Sequence, residues 1–314
     1  MKIRVGTRRS PLALWQARHV GALLREREPG LEIELVEIVT KGDKIIDAPL
    51  AKVGGKGLFV KEIEEKLLAG AIDLAVHSLK DMPAVLPEGL VLAAIPERED
   101  PRDAFVSSSH PSLGALSAGA RVGTSSLRRA CQLKAVRPDL EVVPIRGNVQ
   151  TRLDKIDAEL DAGVLAAAGL KRLGLGRRIA ALFDPEVMVP APGQGALAIE
   201  TRGDDSKTLG RVAALEDATT RLAVGCERAF LARLGGGCQV PIAGYARVSG
   251  NQIDFMGMVG DPDGRTVVRF RERASFTSIE DVESFGRRAA EALLARGAAD
   301  ILAEVVAPAG IPES

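Results

Sequence analysis

Aromatic residues are scarce. They make up 3% of the 314 residues, with a single Trp and a single Tyr, so few ring faces exist on which single-stranded nucleic acid could stack. Charge of one sign is not in excess either. Lys and Arg number 42 against 42 Asp and Glu, a formal net charge of zero, and no global field draws the chain to nucleic acid or to a membrane. No apolar run approaches the roughly 18 residues that a membrane span needs. The opening "MKIRVGTRRSPLALWQ" has no apolar leader core, and the cytoplasm is the expected compartment. Cysteine and histidine are rare, three of each. Cys131, Cys226 and Cys238 lack CxxC or HxxC spacing, and His19, His77 and His110 stand isolated. That pattern excludes a disulfide framework from the expectation, and a zinc site with it.

What is present is a soluble, globular composition, 46% hydrophobic and 27% charged. The length suits about two to three domains. Strand-like and helix-like segments alternate over the first two-thirds. "KIRVGT" (2–7), "LEIELVEIV" (31–39), "IDLAVHS" (72–78) and "LVLAAIP" (90–96) read as strands. "PLALWQARHVGALLRE" (11–26) and "GLFVKEIEEKLLAG" (57–70) read as helices, the first with Leu12, Trp15, His19 and Leu23 near one face. The theme repeats after the charged joint "EREDPRD" (97–103), which predicts two α/β units joined near residue 100. From about residue 220 three strand candidates follow, linked by turn signals "SGN" and "DPDG". A helical stretch over 278–305, with Gly297 as a potential interruption, completes a small α+β domain.

Three junctions share one design. "GTRRSPLA" offers Ser10 as N-cap and Pro11 at the first helical position, beside Arg8 and Arg9. "GTSSLRR" sets Thr124, Ser125 and Ser126 before Arg128 and Arg129. "PIRGNVQTR" sets Arg146 before a helix and Arg152 inside it. Free N–H groups and the helix dipole can receive an anion at such ends, and arginine adds a planar fork. Each junction alone is equally an ordinary cap with solvated arginines. Three together suggest a ligand with several negative groups, phosphates or carboxylates.

"KGDKIIDAPLAKVGGKGLF" (41–59) resembles a phosphate loop superficially, but Gly57 follows Lys56 where that motif needs Ser or Thr. A basic lid is the expectation. "AVHSLKDMP" (75–83) ends a strand with Ser78, Lys80 and Asp81 together, a place suited to a ligand in an open α/β sheet. A turn-capping Asp81 before Pro83 is the plainer alternative. "LGGGCQVP" (234–241) holds Cys238 behind three glycines. Cys131 reads as a core residue, whereas a loop thiol such as Cys238 can react as its thiolate. A cysteine-dependent acyl transferase would need a histidine base that no context supplies.

These residues carry a resemblance. "ERAFLARLGGGCQVPIAG" (227–244) is similar to the cofactor-attachment motif of the porphobilinogen deaminase family, also called hydroxymethylbilane synthases. "TRRSPLALWQA", "KVGGKGLF", "AVHSLKDMP", "EREDPRDAFVS", "GTSSLRR", "RGNVQTRL", "AGLKRLGL" and "PAPGQGALAIE" resemble that family in the same order, over essentially the whole chain.

The resemblance implies a cytosolic, monomeric transferase that uses neither metal nor nucleic acid. It joins four porphobilinogen units head to tail with loss of ammonia, frees hydroxymethylbilane by hydrolysis and passes it to uroporphyrinogen-III synthase. It implies a dipyrromethane cofactor joined to Cys238 by a thioether, and Asp81 as the catalytic carboxylate. Arg8, Ser10, Ser78, Lys80, Thr124, Ser125, Ser126, Arg128, Arg129, Arg146, Arg152, Arg172 and Gln194 would line the cleft, with Lys52 and Lys56 on or beside the lid (about 42–57). The implied fold is a two-lobed α/β protein, its lobes resembling type II periplasmic binding proteins, plus a small α+β C-terminal domain. Residues 1–97 with 194–217 would form domain 1, 101–191 domain 2 and 218–314 domain 3. A two-lobed anion-binding protein without catalysis is the alternative, and it leaves Cys238 and the last domain idle.

Overall fold

Alternating strands and helices need two faces of a sheet to bury their apolar sides. The computed structural model, which describes residues 2–44, 60–235 and 240–306, meets that need with two separate five-stranded sheets. The first lobe runs β1 (Lys2–Arg8), α1 (Pro11–Arg27), β2 (Glu32–Ile38), a one-turn α2 (Lys41–Lys44), α3 (Lys61–Leu68), β3 (Leu74–Ser78), a 3-10 turn at Leu79–Asp81 and β4 (Leu90–Ala94). The second runs β5 (Asp103–Val106), β6 (Arg121–Gly123), α4 (Leu127–Val136), β7 (Glu141–Val143), α5 (Val149–Glu159), β8 (Ala162–Ala166), α6 (Ala167–Arg172) and β9 (Ala181–Leu182). The chain then returns to the first sheet as β10 (Leu197–Arg202).

The two sheets share one plan. Their orders are β2-β1-β3-β10-β4 and β7-β6-β8-β5-β9. β1 lies parallel to β2 and β3, while β10 is antiparallel to β3 and β4. Likewise β6 lies parallel to β7 and β8, while β5 is antiparallel to β8 and β9. This is the two-lobed α/β arrangement that the motifs implied. At the crossings the two chain segments touch: Glu99 N–H donates to Gly195 O at 3.2 Å. Gly195 has φ +89°, and a Cβ there would sit 2.3 Å from the Glu99 carbonyl, so only glycine suits the spot.

Helix α7 (Ser206–Val212) closes the first lobe, Val212 packing with Val5 and Ile199. The third unit is α8 (Ala218–Arg233), then a three-stranded antiparallel sheet of β11 (Ile242–Ser249), β12 (Gln252–Gly260) and β13 (Val267–Ser275), then α9 (Ile279–Leu293) and α10 (Ala299–Val306). Its core is aromatic, Phe230 meeting Phe255 edge-on at 5.0 Å, with Phe285 and Phe270 around them. Gly297, at φ +101°, breaks the last helical stretch in two. Cys131 of α4 packs with Tyr245, Met256 and Met258, which joins the second lobe to this sheet. Burial pushes the Cys131 thiol up to about 12 and the Cys226 thiol up as well, so both are inert core groups. Among the described residues no helix is long and apolar enough to cross a membrane.

Candidate active site

The turn after β3 is held from three sides. Gln16 Nε2 donates to Ser78 Oγ at 2.8 Å, Leu79 N–H donates to Ala196 O at 3.1 Å, and Met82 N–H closes the turn on Leu79 O. Leu79 is buried beneath it, which leaves Lys80 and Asp81 at the lip, Asp81 exposed. Lys80 Nζ donates to Gln194 Oε1 at 3.3 Å. Burial, then the Arg129 charge, brings the Lys80 ammonium down to about 8, with Asp81 and Asp103 opposing.

Opposite stands the N-terminus of α4. Ser126 Oγ accepts from Arg129 N–H, Thr124 Oγ1 accepts from Ser126 N–H, and Ser125 Oγ donates to Ile145 O at 2.6 Å. The caps place Arg128 and Arg129 in the first turn, and both side chains turn inward onto Asp103. Arg128 Nη1 donates to Asp103 Oδ2 at 2.7 Å and to Val189 O at 2.7 Å. Arg129 donates to Asp103 Oδ1 through Nε at 2.9 Å and Nη2 at 2.7 Å. Gln194 Nε2 adds a fourth donor to that carboxylate at 2.9 Å. Burial penalises the Asp103 charge, but Arg128 and Arg129 together outweigh that and hold the carboxyl well below its usual range.

Asn148, not a residue at the arginine, caps α5 by accepting from Thr151 N–H at 2.9 Å. Arg146 is half-buried just before it. Arg152 Nε donates to Gly147 O at 2.9 Å. Burial and Arg129 push the Arg152 guanidinium down while Asp81 of the other lobe pulls it up, which ties α5 electrostatically to the β3 turn. Arg172 at the end of α6 donates to Gly195 O at 2.7 Å and lies 5.9 Å from the Trp15 ring centre. Burial brings it down to about 10. Arg8 pairs with Asp43 of α2, and Ser10 caps α1 by accepting from Ala13 N–H at 3.3 Å.

Lys80, Gln194, Arg128 and Arg129 therefore form one connected set, with Asp81 and Arg152 beside it. Ser10 and Ser126 spend their described side-chain bonds on their own helix's backbone, and Ser125 on the Ile145 carbonyl. Arg128 and Arg129 turn most of their forks onto protein, so they offer a ligand charge and the remaining N–H groups. Lys52, Lys56 and Cys238 lie outside the described residues.

Sequence reasoning missed the roles of four residues here. Asp103 opens β5 within the charged joint, and its only signal was an acid placed directly before the apolar run "AFV". Arg98 and Glu227, at the crossing and on α8, form a buried pair. His77, which looked isolated, bonds Glu200 of β10 at 2.9 Å beneath the turn.

A family model described as porphobilinogen deaminase, dipyromethane cofactor binding domain, matches residues 3–210, and one described as porphobilinogen deaminase, C-terminal domain, matches residues 221–295. A curated protein of Syntrophotalea carbinolica named porphobilinogen deaminase is 55% identical over 302 residues, covering 96% of this chain and 95% of that protein. The chain belongs to the porphobilinogen deaminase family. Among solved structures, the methionine binding protein MetQ aligns with TM-score 0.44 at 18% identity, over 68% of this chain and 89% of that one. A nutrient binding protein from Burkholderia cenocepacia bound to methionine aligns with TM-score 0.42 at 15% identity, over 70% and 93%.

The donor set fits the dipyrromethane cofactor that names the family's first model. Each of its pyrroles carries carboxylates, and the described cleft residues hold more cations than anions. Arg152 and Arg172 join Lys80 and the Arg128–Arg129 pair, against Asp81, Glu99 and the buried Asp103. Such an excess is costly to gather unless an anionic group neutralises it.

Proposed function

We propose that this chain is the transferase that condenses four porphobilinogen molecules head to tail, with loss of ammonia at each addition and hydrolytic release of hydroxymethylbilane. One observation carries the reading: an exposed carboxylate, Asp81, sits at a strand-end turn that faces Arg152, Arg128 and Arg129 of the other lobe, with buried Asp103 paired to the last two. Dipyrromethane, when bound, supplies the free α-carbon that is extended and the tether to Cys238.

The residues divide the work by charge. Arg8, Arg146, Arg152, Arg172 and Lys80 neutralise acetate and propionate groups, with Ser10, Ser78, Thr124, Ser125, Ser126 and Gln194 around them. Lys52 and Lys56 belong to the same proposal as lid residues. As the carbon–nitrogen bond to ammonia breaks, positive charge builds on the pyrrole nitrogen of the substrate. Asp81, as a carboxylate accepting that N–H, stabilises the charge and helps move the proton.

Sheet membership supports the boundaries proposed, 1–97 with 194–217, 101–191 and 218–314, since β10 returns to the first sheet. A monomeric cytoplasmic enzyme handing its product to uroporphyrinogen-III synthase completes the proposal. A catalysis-free anion-binding protein is not favoured, because it gives the C-terminal family domain nothing to do.

Asp81→Asn tests the assignment. Turnover of porphobilinogen, followed by ammonia release, should fall by about 10²–10³ while the cofactor stays bound, the scale of one lost electrostatic stabiliser. Turnover within threefold of wild type, cofactor intact, would reduce Asp81 to a turn cap.

A further inference from the structure

We propose that Asp103 is a positioning residue for the reaction: a buried carboxylate that orients Arg128 and Arg129 and, through Gln194, holds the Lys80 ammonium beside Asp81. The inference rests on the proposed function and deepens it, since it says how the charges around Asp81 are kept in place.

The geometry is a relay across the lobes. Asp103 is fully buried at the start of β5. Its two oxygens collect donors from Arg128, Arg129 and Gln194, all within 2.9 Å. Gln194 gives both lessons of the arrangement. Its Nε2 is committed to Asp103 Oδ1 and to Pro101 O, at 2.9 and 2.7 Å. The amide can therefore turn only its oxygen outward, and that oxygen accepts from Lys80 Nζ at 3.3 Å and Arg128 Nη2 at 3.5 Å. Asp103 and the Pro101 carbonyl together thus decide which end of the Gln194 amide meets Lys80.

Stability alone does not explain the residue. The rest of β5, Ala104, Phe105 and Val106, is buried and apolar, and well-packed apolar groups usually match or exceed a buried ion cluster in stability. What the carboxylate adds is orientation and charge balance. Lys80 faces Asp81 on its own turn, Arg128 and Arg129 from α4, Asp103 from β5 and the Gln194 amide from the crossing. Without Asp103 the three cations would be opposed by Asp81 alone, and Lys80 would give up its proton sooner.

The test is made on the cofactor-loaded protein. Competitive acetylation of amines between about pH 6 and 10, read on the Lys80 peptide by mass spectrometry, gives the titration midpoint of that amine. Asp103→Asn should lower the midpoint by about half a pH unit or more, and the alkaline limb of kcat/KM should move down with it. An unchanged midpoint, with activity lost only in step with the folded fraction, would overturn the proposal. Should Asp103→Asn fail to fold, Gln194→Met carries the test, because it cuts the relay and leaves both Asp103–arginine pairs. A lowered Lys80 midpoint supports the relay there, and an unmoved one overturns it. Wild-type protein that consumes no porphobilinogen would sink the function instead, and the labelling result would still stand on its own.

Discussion

Arg98 and Glu227 face each other fork to fork, Nη1 to Oε1 at 2.7 Å and Nη2 to Oε2 at 3.1 Å, in the buried seam where three units meet. Glu227 also accepts from Gly193 N–H at 2.7 Å and Ala246 N–H at 2.8 Å, while Arg98 Nε donates to Gln194 O at 2.8 Å. One carboxylate on α8 therefore grips both crossings and β11 together.

Removing that carboxylate leaves Arg98 buried without its partner. Glu227→Leu should lower the unfolding free energy by about 3–5 kcal/mol, the cost of an orphaned buried charge. Adding Arg98→Met should recover much of it. Urea titrations of both variants decide the matter, and a single-variant loss under about 1 kcal/mol would make the pair no better than a surface one.

Beneath the β3 turn, burial and the charge of Glu200 raise the Glu64 carboxyl to about 7, with His77 opposing. Glu64 Oε1 and Glu200 Oε1 are both buried without a hydrogen-bond partner. The folded-state value lies above the unfolded one of 4.5. The stabilisation by protonated Glu64 is therefore complete below about pH 4.5 and is lost as pH rises through about 7. Glu64→Gln, neutral throughout, should match wild type near pH 4.5 and exceed it at pH 8 by on the order of 1–3 kcal/mol. Melting curves across that interval check it, and parallel curves would contradict it.

The cleft arginines should separate by what they touch. Arg128 is bonded to buried Asp103 and to Val189 O, so Arg128→Leu should lower both the melting temperature and the cofactor content. Arg146 lies half-buried just before α5, and Arg146→Leu should keep more of the melting temperature than Arg128→Leu yet stall elongation. A loss of about 1.5–3 kcal/mol of ligand binding per charged hydrogen bond is the scale involved. Denaturing mass spectra would show trapped partial chains for Arg146→Leu. Equal melting losses in both variants would refute the distinction.

Much of this site was legible in the sequence because its signals are local. Ser10 and Ser126 cap the helices where a cap residue followed by a periodic apolar run predicts one, and Gly297 breaks the last helical stretch. What stayed hidden depends on partners far along the chain. Asp103 meets Arg128 and Arg129 across 25 and 26 residues, and Arg98 meets Glu227 across 129, distances at which no spacing rule operates. Helix α8 was missed for a related reason. Its buried face includes Thr220 and Glu227, polar residues that blur the apolar period. The return of β10 to the first sheet came from the family resemblance, since "LAIETR" reads as a strand without saying beside which neighbour it lies.

On the proposed function, Cys238 anchors a growing pyrrole chain in this cleft. Intact mass under denaturing conditions measures it directly. Purified wild-type protein should exceed its sequence mass by two linked pyrrole units, gain further single units on addition of porphobilinogen, and show the bare sequence mass in Cys238→Ser. A bare mass for active wild-type protein, or a surplus retained in Cys238→Ser, would contradict the account.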